Sequence, residues 1–156
     1  MKILFVCTGN TCRSPMAEAI ARKVVIERGF PDIDVTSAGT SAWDGSAASD
    51  GAMLVGLERH FDLRGHAAQQ ITRALVDESD VVLTMGPHHL ERVEALGGTG
   101  KAFMLTSFPA RGAAGRAISD PIGGDLDMYR STADELEAEV RRVIDRLAAE
   151  RVSGAS

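Results

Sequence analysis

The chain has 156 residues, 44% of them hydrophobic and 25% charged, a composition typical of one globular domain with its own core. Its net charge of -5 disfavours a nucleic-acid partner, because binding a phosphate backbone requires clustered Lys and Arg. Two cysteines are too few for a disulfide-stapled secreted fold, and no apolar run approaches the ~20 residues that span a bilayer. We therefore expect a cytoplasmic protein without nucleic-acid or membrane partners, and the sequence leaves its oligomeric state open.

The first elements in chain order are a strand, a helix and a second strand. Lys2–Val6 is a short apolar run typical of a strand buried on both faces. Ser14 is the expected N-cap of the next helix, with Pro15 at its first position and Gly29 at its end. Residues 33–38 alternate in polarity as a second strand.

The middle of the chain continues this alternation. We predict helices over 48–60 and 87–95, with a short helical piece over 72–78. Two further apolar runs, 80–85 and 101–105, are predicted to be strands.

The last part of the chain is predicted to be a loop followed by one long helix. Residues 109–125 are rich in Gly and Ala and lack apolar patterning. Thr132 and Glu135 match a capping box at the start of the helix, although the helix can begin a turn earlier. The domain is expected to cover 1–151, with a disordered tail over 152–156. The apolar face of the helix is Leu136, Val140, Val143, Ile144 and Leu147.

Strands that alternate with helices indicate βαβ units. We predict a single α/β domain with a four-stranded parallel sheet and helices on both faces. Ligands of such sheets bind beyond the carboxyl ends of the strands. The first such position in this chain is the segment from Cys7 to Ser14.

The segment from Cys7 to Ser14 has the chemistry of an anion site. A loop between a buried strand and a helix N-terminus directs backbone N–H groups and the helix dipole towards one place. Gly9 permits tight left-handed geometry, and the planar guanidinium of Arg13 can bind two phosphate oxygens. The same positive field favours a cysteine thiolate, which is a nucleophile. The structural alternative is that Cys7 is only a small buried hydrophobe at the end of a strand.

The run from Val6 to Pro15 reads V-C-x-G-N-x-C-R-S-P and resembles the phosphate-binding loop of the low-molecular-weight protein tyrosine phosphatase family. Three further family features follow in order: Ser37-Ala38-Gly39, Gly65-His66 and Asp120-Pro121. The resemblance therefore covers essentially the whole chain. It implies the fold of that family and a phosphatase that works through a cysteinyl-phosphate intermediate.

The resemblance implies a role for each matched residue. Cys7 is the expected nucleophile, Arg13 the phosphate-binding guanidinium and Asp120 the general acid. Ser37 and His66 match positions that hold an asparagine of the loop in an unusual backbone state. No metal or cofactor is implied. The expected phosphate- and substrate-binding residues are Thr8, Gly9, Asn10, Thr11, Cys12 and Ser14.

Several of these residues also fit a purely structural explanation. Asp120 before Pro121 is a common turn sequence, and His66 fits a solvated loop position. In the family, the second cysteine of the loop can trap the oxidised nucleophile as a disulfide. For Cys12, a packed thiol is an equally good interpretation.

Two positions favour one substrate class over another. Thr11 matches arginine-specific members, whereas tyrosine-specific members commonly have Ile or Leu there. The run from Asp120 to Tyr129 resembles the D-P-F-G-G-x-x-D-x-Y loop of bacterial protein-arginine phosphatases, with Ile122 in place of the aromatic residue. We therefore predict hydrolysis of phosphoarginine in phosphorylated proteins, with a protein-tyrosine phosphatase as the alternative.

Two other classes fit the sequence poorly. An arsenate reductase on this scaffold needs further cysteines downstream, and none follows Cys12. A non-catalytic phosphate-binding protein is expected to have lost its nucleophile or its acid, whereas Cys7, Arg13 and Asp120 are all present.

Overall fold

The sheet has four parallel strands in the order β2-β1-β3-β4. A computed structural model describes residues 1–109 and 115–154. The strands are β1 (Lys2–Cys7), β2 (Asp34–Gly39), β3 (Val81–Thr84) and β4 (Ala102–Met104). The predicted α/β fold with a four-stranded parallel sheet is confirmed.

Among residues 1–109 and 115–154, five helices connect and cover the strands, and a short π-helical turn, Glu94–Gly98, follows the fourth of them. Within the described ranges, no helix is long and apolar enough to cross a membrane. The helices are α1 (Arg13–Arg28), α2 (Asp50–Arg59), α3 (Arg73–Glu78), α4 (Pro87–Val93) and α5 (Leu126–Gly154).

The side chains of β1 alternate between two cores, as expected for a strand buried on both faces. Ile3 and Phe5 pack in a core that also contains residues of α1, α2 and α5. Leu4 and Val6 pack in a smaller core with residues of α3 and α4. Helices therefore cover both faces of the sheet. The predicted apolar face of α5 is buried at Leu136, Val140, Val143, Ile144 and Leu147.

Helix α1 begins before the position predicted from the sequence. Its N-cap is Cys12, and Ser14 lies inside the first turn. The Ser14 hydroxyl cannot cap the helix because it contacts the Cys7 sulfur and accepts a hydrogen bond from Asn10. The end of the helix is as predicted, because Gly29 has the left-handed φ of 74° that favours glycine.

The capping box predicted at Thr132 and Glu135 is wrong, because α5 already begins at Leu126. Thr132 Oγ1 instead donates to the carbonyl oxygen of Ser119 at 3.3 Å. Glu135 Oε1 accepts from Ser119 Oγ at 2.7 Å. Both side chains lie within the helix and bind the preceding loop, so the motif has no capping function here.

The predicted loop over 109–125 and the predicted tail over 152–156 each lie partly outside the described residues. Of the predicted loop over 109–125, the described positions contain no helix or strand, and 110–114 lie outside the description. Helix α5 continues through Gly154, so 152–154 of the predicted tail are helical. A helix can extend in this way because each further residue adds one backbone hydrogen bond. Residues 155–156 lie outside the described part.

Candidate active site

The loop between β1 and α1 lies at the carboxyl end of the sheet and is held by the end of β2. The backbone N–H of Thr40 donates to Cys7 O, and that of Ser41 donates to Thr8 O, both at 2.9 Å. Gly39 makes this close approach possible, because a Cβ at its position would lie 2.4 Å from Thr8 O. The neighbouring strand therefore fixes the backbone on which the nucleophile candidate lies.

All three predicted catalytic residues border one pocket. Four predicted binding residues border it too, whereas Asn10 and Ser14 are buried behind it. Ile122 completes the rim. The lining is Cys7, Thr8, Gly9, Thr11, Cys12, Arg13, Asp120 and Ile122.

The Cys7 sulfur is buried and lies 2.9 Å from Ser14 Oγ. Asn10 Nδ2 donates to that same Ser14 oxygen at 2.8 Å. A hydroxyl that accepts at its oxygen still has its own hydrogen to donate. The single Ser14 hydrogen can be donated to the Cys7 sulfur at 2.9 Å or to Ala38 O at 3.4 Å, and donation to the nearer sulfur favours a thiolate over a thiol.

Asn10, and not Gly9 as expected from the sequence, has the left-handed backbone of this loop. Its φ of 56° is uncommon for a residue other than glycine. His66 Nε2 contacts Asn10 O at 2.7 Å, and Asn10 Nδ2 donates to Ser37 Oγ at 3.0 Å. The structure thus places Ser37 and His66 on Asn10, where the sequence resemblance predicted them. These contacts hold the loop in a conformation that costs roughly 1–3 kcal/mol if unsupported.

Two residues of this network were not predicted from the sequence. Gln69 donates its backbone N–H to Asn10 Oδ1 at 2.9 Å. Glu18 Oε1 accepts from Ser37 Oγ, also at 2.9 Å. A signal for Glu18 was available, because it follows Ser14 by four residues and so lies on the same face of α1. Gln69 also donates its side-chain amide to Ser37 O at 2.9 Å, a contact across 32 positions that its residue type alone does not indicate.

Arg13 and Asp120 meet at the pocket although 107 positions separate them in the chain. Arg13 Nη2 lies 3.4 Å from Asp120 Oδ2, and Arg13 Nη1 donates to Ile118 O at 3.2 Å. Asp120 Oδ1 accepts from the backbone N–H of Ile122 at 3.1 Å. The pocket thus holds a thiol, a guanidinium and a carboxylate, which are the groups needed for phosphoryl transfer through a covalent intermediate.

Comparison with known proteins agrees with this geometry. A sequence model of the family described as "Low molecular weight phosphotyrosine protein phosphatase" matches residues 2–153. The chain belongs to this family. It is accordingly a cysteine-dependent protein phosphatase.

Both substrate branches of this phosphatase family are represented among similar proteins. A protein-arginine-phosphatase of Bacillus subtilis is 37% identical over 153 residues, which cover 97% of this chain and 99% of that protein. The tyrosine phosphatase PtpB of Staphylococcus aureus is 38% identical over 146 residues, covering 93% and 98%. A solved mutant of the YwlE arginine phosphatase with a phosphorylated active-site serine is similar at a TM-score of 0.87 and 35% identity, covering 97% and 98%.

The second cysteine of the phosphatase loop is packed between two helices. Cys12 Sγ donates to Ser49 Oγ, the N-cap of α2, at 3.2 Å and lies 3.6 Å from the hydroxyl of Tyr129 on α5. Burial raises the pKa of Tyr129. Gly51 allows the ring to pack closely, because a Cβ there would lie 2.4 Å from it. Cys12 therefore has a packing role, and its trapping of an oxidised Cys7 stays a prediction.

His89 on α4 is a further residue of this phosphatase site that the sequence did not reveal. Its Nε2 lies 2.8 Å from Thr8 Oγ1, and the side chain is buried. Burial lowers the pKa of His89 to about 4, with a smaller contribution from the positive charge of Arg13. His89 is therefore neutral at physiological pH.

The depressed pKa of His89 predicts a specific loss of stability in acid. In the unfolded chain His89 has the ordinary histidine pKa of 6.5, so it binds a proton below that pH. In the folded chain its pKa is about 4, so it binds a proton only near pH 4. Stability therefore falls as the pH drops from about 6.5 to about 4. Between pH 7 and pH 5, wild type is expected to lose about 2 kcal/mol more unfolding free energy than His89→Gln, measured by urea denaturation.

The exposed neighbour His88 provides the control for this measurement. His88→Gln is expected to follow wild type at both pH values. Equal acid sensitivity of wild type and His89→Gln would contradict the burial of a neutral His89.

Proposed function

We propose that this phosphatase hydrolyses phosphoarginine in proteins. The observation that carries the proposal is the composition of the pocket wall. Thr11 borders the pocket, and among the described residues no aromatic ring lines it. A phenyl ring is best bound by an apolar or aromatic wall, whereas a guanidinium group needs polar partners.

The hydroxyls and the carboxylate of the pocket suit a guanidinium. Thr8 and Thr11 each present a hydroxyl, and Asp120 presents a half-exposed carboxylate. A guanidinium has N–H donors in a fixed planar arrangement and no acceptor. The acceptor oxygens of these three side chains therefore suit the guanidinium group of phosphoarginine better than an apolar pocket wall would.

In the first proposed step the Cys7 thiolate attacks phosphorus while the bond from phosphorus to the guanidine nitrogen breaks. Asp120 donates its proton to the departing nitrogen, which leaves as part of a free arginine side chain. Arg13 and the loop N–H groups bind the phosphoryl oxygens, whose charge is stabilised through the transition state.

In the second step water hydrolyses the cysteinyl-phosphate. The Asp120 carboxylate takes a proton from the water molecule, and the water oxygen attacks phosphorus at the same time. The bond between sulfur and phosphorus breaks, which regenerates the Cys7 thiolate and releases inorganic phosphate. The Ser14 hydroxyl stabilises the regenerated thiolate by donating a hydrogen bond to it and keeps its proton.

Hydrolysis of phosphotyrosine is the second candidate, and one observation favours it. Ile122 borders the pocket and is 64% exposed, so its side chain offers an apolar surface at the rim. A phenyl ring can pack against such a surface.

The substitution Thr11→Ile tests the choice between the two substrates. Removing the hydroxyl leaves a guanidinium donor without its partner, which typically costs ~1–3 kcal/mol, or roughly 5- to 150-fold in rate. We expect kcat/KM to fall by that factor on phosphoarginine peptides and to stay the same or rise on phosphotyrosine peptides. The ratio of the two constants, measured on one preparation, cancels any loss of active enzyme.

Thr99→Ile makes the same chemical change on an exposed turn away from the pocket and is expected to leave the ratio unchanged. If the ratio stays constant in Thr11→Ile, Thr11 does not select the substrate. A preference of the wild-type enzyme for phosphotyrosine would replace the arginine assignment with the tyrosine one.

We also propose a cytoplasmic location, with phosphorylated proteins as substrates and neither nucleic acid nor membrane bound. A reducing compartment keeps Cys7 and Cys12 as the free thiols that the mechanism requires. Recovery of the protein in the membrane or secreted fraction of its cells would contradict this location.

A further inference from the structure

Thr8 follows the nucleophile directly and borders the pocket. The contact of 2.8 Å to His89 Nε2 is the hydrogen bond found for the Thr8 hydroxyl oxygen in the described part of the chain. One hydroxyl carries a single hydrogen, so the tautomer of His89 decides where this hydrogen points.

The burial of the other ring nitrogen distinguishes the two tautomers of His89. Nδ1 is buried and has no hydrogen-bond partner among the described residues. If Nδ1 carried the hydrogen, a buried N–H donor would be left unpaired, which is rare in folded proteins. With the hydrogen on Nε2, the N–H is paired with Thr8 Oγ1 and only a lone pair remains unpaired at Nδ1.

We propose that His89 donates its Nε2 hydrogen to Thr8 Oγ1 and thereby directs the Thr8 hydroxyl hydrogen into the pocket, where it is donated to the phosphoryl group. His89 is then a positioning residue that acts through Thr8. Thr8 supplies a side-chain donor in addition to Arg13 and the backbone N–H groups of the loop.

The position of His89 fits this role. Arg13, His88 and Asp120 are the charged or titratable groups whose fields act on it, so its ring lies close to two catalytic residues. A Cβ placed on Gly86 would lie 3.6 Å from His89 Nδ1 and 3.7 Å from the Ala117 methyl group. His89 and Ala117 therefore both lie beside Gly86, which places the ring near the segment that leads to Asp120.

This inference rests on phosphate binding in the pocket, which both candidate substrates share. Its test is independent of substrate class because inorganic phosphate is the probe. The inhibition constant of phosphate is measured against a nitrophenyl phosphate substrate, while peptide substrates report separately on the proposed specificity.

Variants of Thr8 and His89 test the donation. Thr8→Val removes the hydroxyl and is expected to raise the inhibition constant of phosphate about tenfold, because a hydrogen bond to a charged group is lost. Thr8→Ser is expected to recover most of the wild-type value. His89→Leu should also weaken phosphate binding, whereas His89→Gln places an amide N–H near the former Nε2 and should restore it.

A cycle built from Thr8→Val, His89→Leu and the double variant tests whether His89 acts through Thr8. The double variant is expected to bind phosphate no more weakly than Thr8→Val alone. His88→Leu, at the exposed neighbouring position, is the control and should match wild type. A merely structural defect would lower the fraction of active enzyme, and therefore kcat, without changing the inhibition constant.

Nuclear magnetic resonance on the unmutated protein tests the tautomer even if a variant fails to fold. Proton–nitrogen correlation spectra of the imidazole distinguish a protonated Nε2 from a bare one. A protonated Nε2 with a bare Nδ1 supports the proposal. A bare Nε2 overturns it, and so does an inhibition constant in Thr8→Val that equals that of wild type.

Discussion

Replacing Cys7 by Ser is expected to lower kcat by at least about 10⁴-fold, because a serine hydroxyl is a far weaker nucleophile without an activating base. The new oxygen takes the place of a sulfur that already contacts Ser14 Oγ. The loop and its binding of phosphate are therefore expected to survive. Steady-state kinetics gives the loss in kcat, and phosphate protection against thermal unfolding reports on the intact pocket.

Cys12→Ser is the matched control, since it makes the same atomic change in the same loop. Its thiol packs against Ser49 and Tyr129, and the variant is expected to keep most of the activity. It should also be easier to inactivate irreversibly with peroxide, because the partner that traps oxidised Cys7 is gone. Near wild-type turnover in Cys7→Ser would refute the covalent mechanism. Equal peroxide sensitivity of wild type and Cys12→Ser would remove the protective role.

Asp120→Asn is expected to lower kcat by roughly 10²–10⁴-fold, the usual effect of losing a general acid. The amide keeps the size of the side chain and can still accept from the Ile122 N–H, so the loop should stay in place. The loss should be smaller for a nitrophenyl phosphate, because its leaving group needs less protonation.

Asp127→Asn is the matched control on the first turn of α5, where the carboxylate is exposed and pairs with Arg130. It is expected to leave kcat unchanged. If Asp120→Asn lost the same factor on good and poor leaving groups, Asp120 would have a role in binding only.

The fold and the loop chemistry could be predicted because their signals are local. A strand buried on both faces is a continuous apolar run, and β1 is one such run. The segment from Cys7 to Ser14 concentrates the nucleophile, the anion site and the guanidinium within eight consecutive positions. Neither prediction required knowledge of which distant elements meet.

The contacts that the sequence did not reveal depend on tertiary packing. His89 lies 81 positions from Thr8, and a histidine in a short, mostly polar helix has many ordinary explanations. Ser14 has the residue type of an N-cap, but Cys7 and Asn10 occupy its hydroxyl. Thr132 shows the same effect, because its capping sequence binds Ser119 instead. In each case the residue type indicated a polar contact, and the three-dimensional neighbours decided which one.

Because the Asp120 loop is attached to α5, the parts of the active site become fixed in a set order while the chain is synthesised. Ser119 is held by two side chains of α5, which is synthesised after β1 and α1. The loop that holds Cys7 lies between β1 and α1, which are synthesised well before α5. A nascent chain therefore possesses a nucleophile long before it possesses a fixed proton donor. Synthesis of α5 is therefore the step that fixes the proposed proton donor beside the nucleophile.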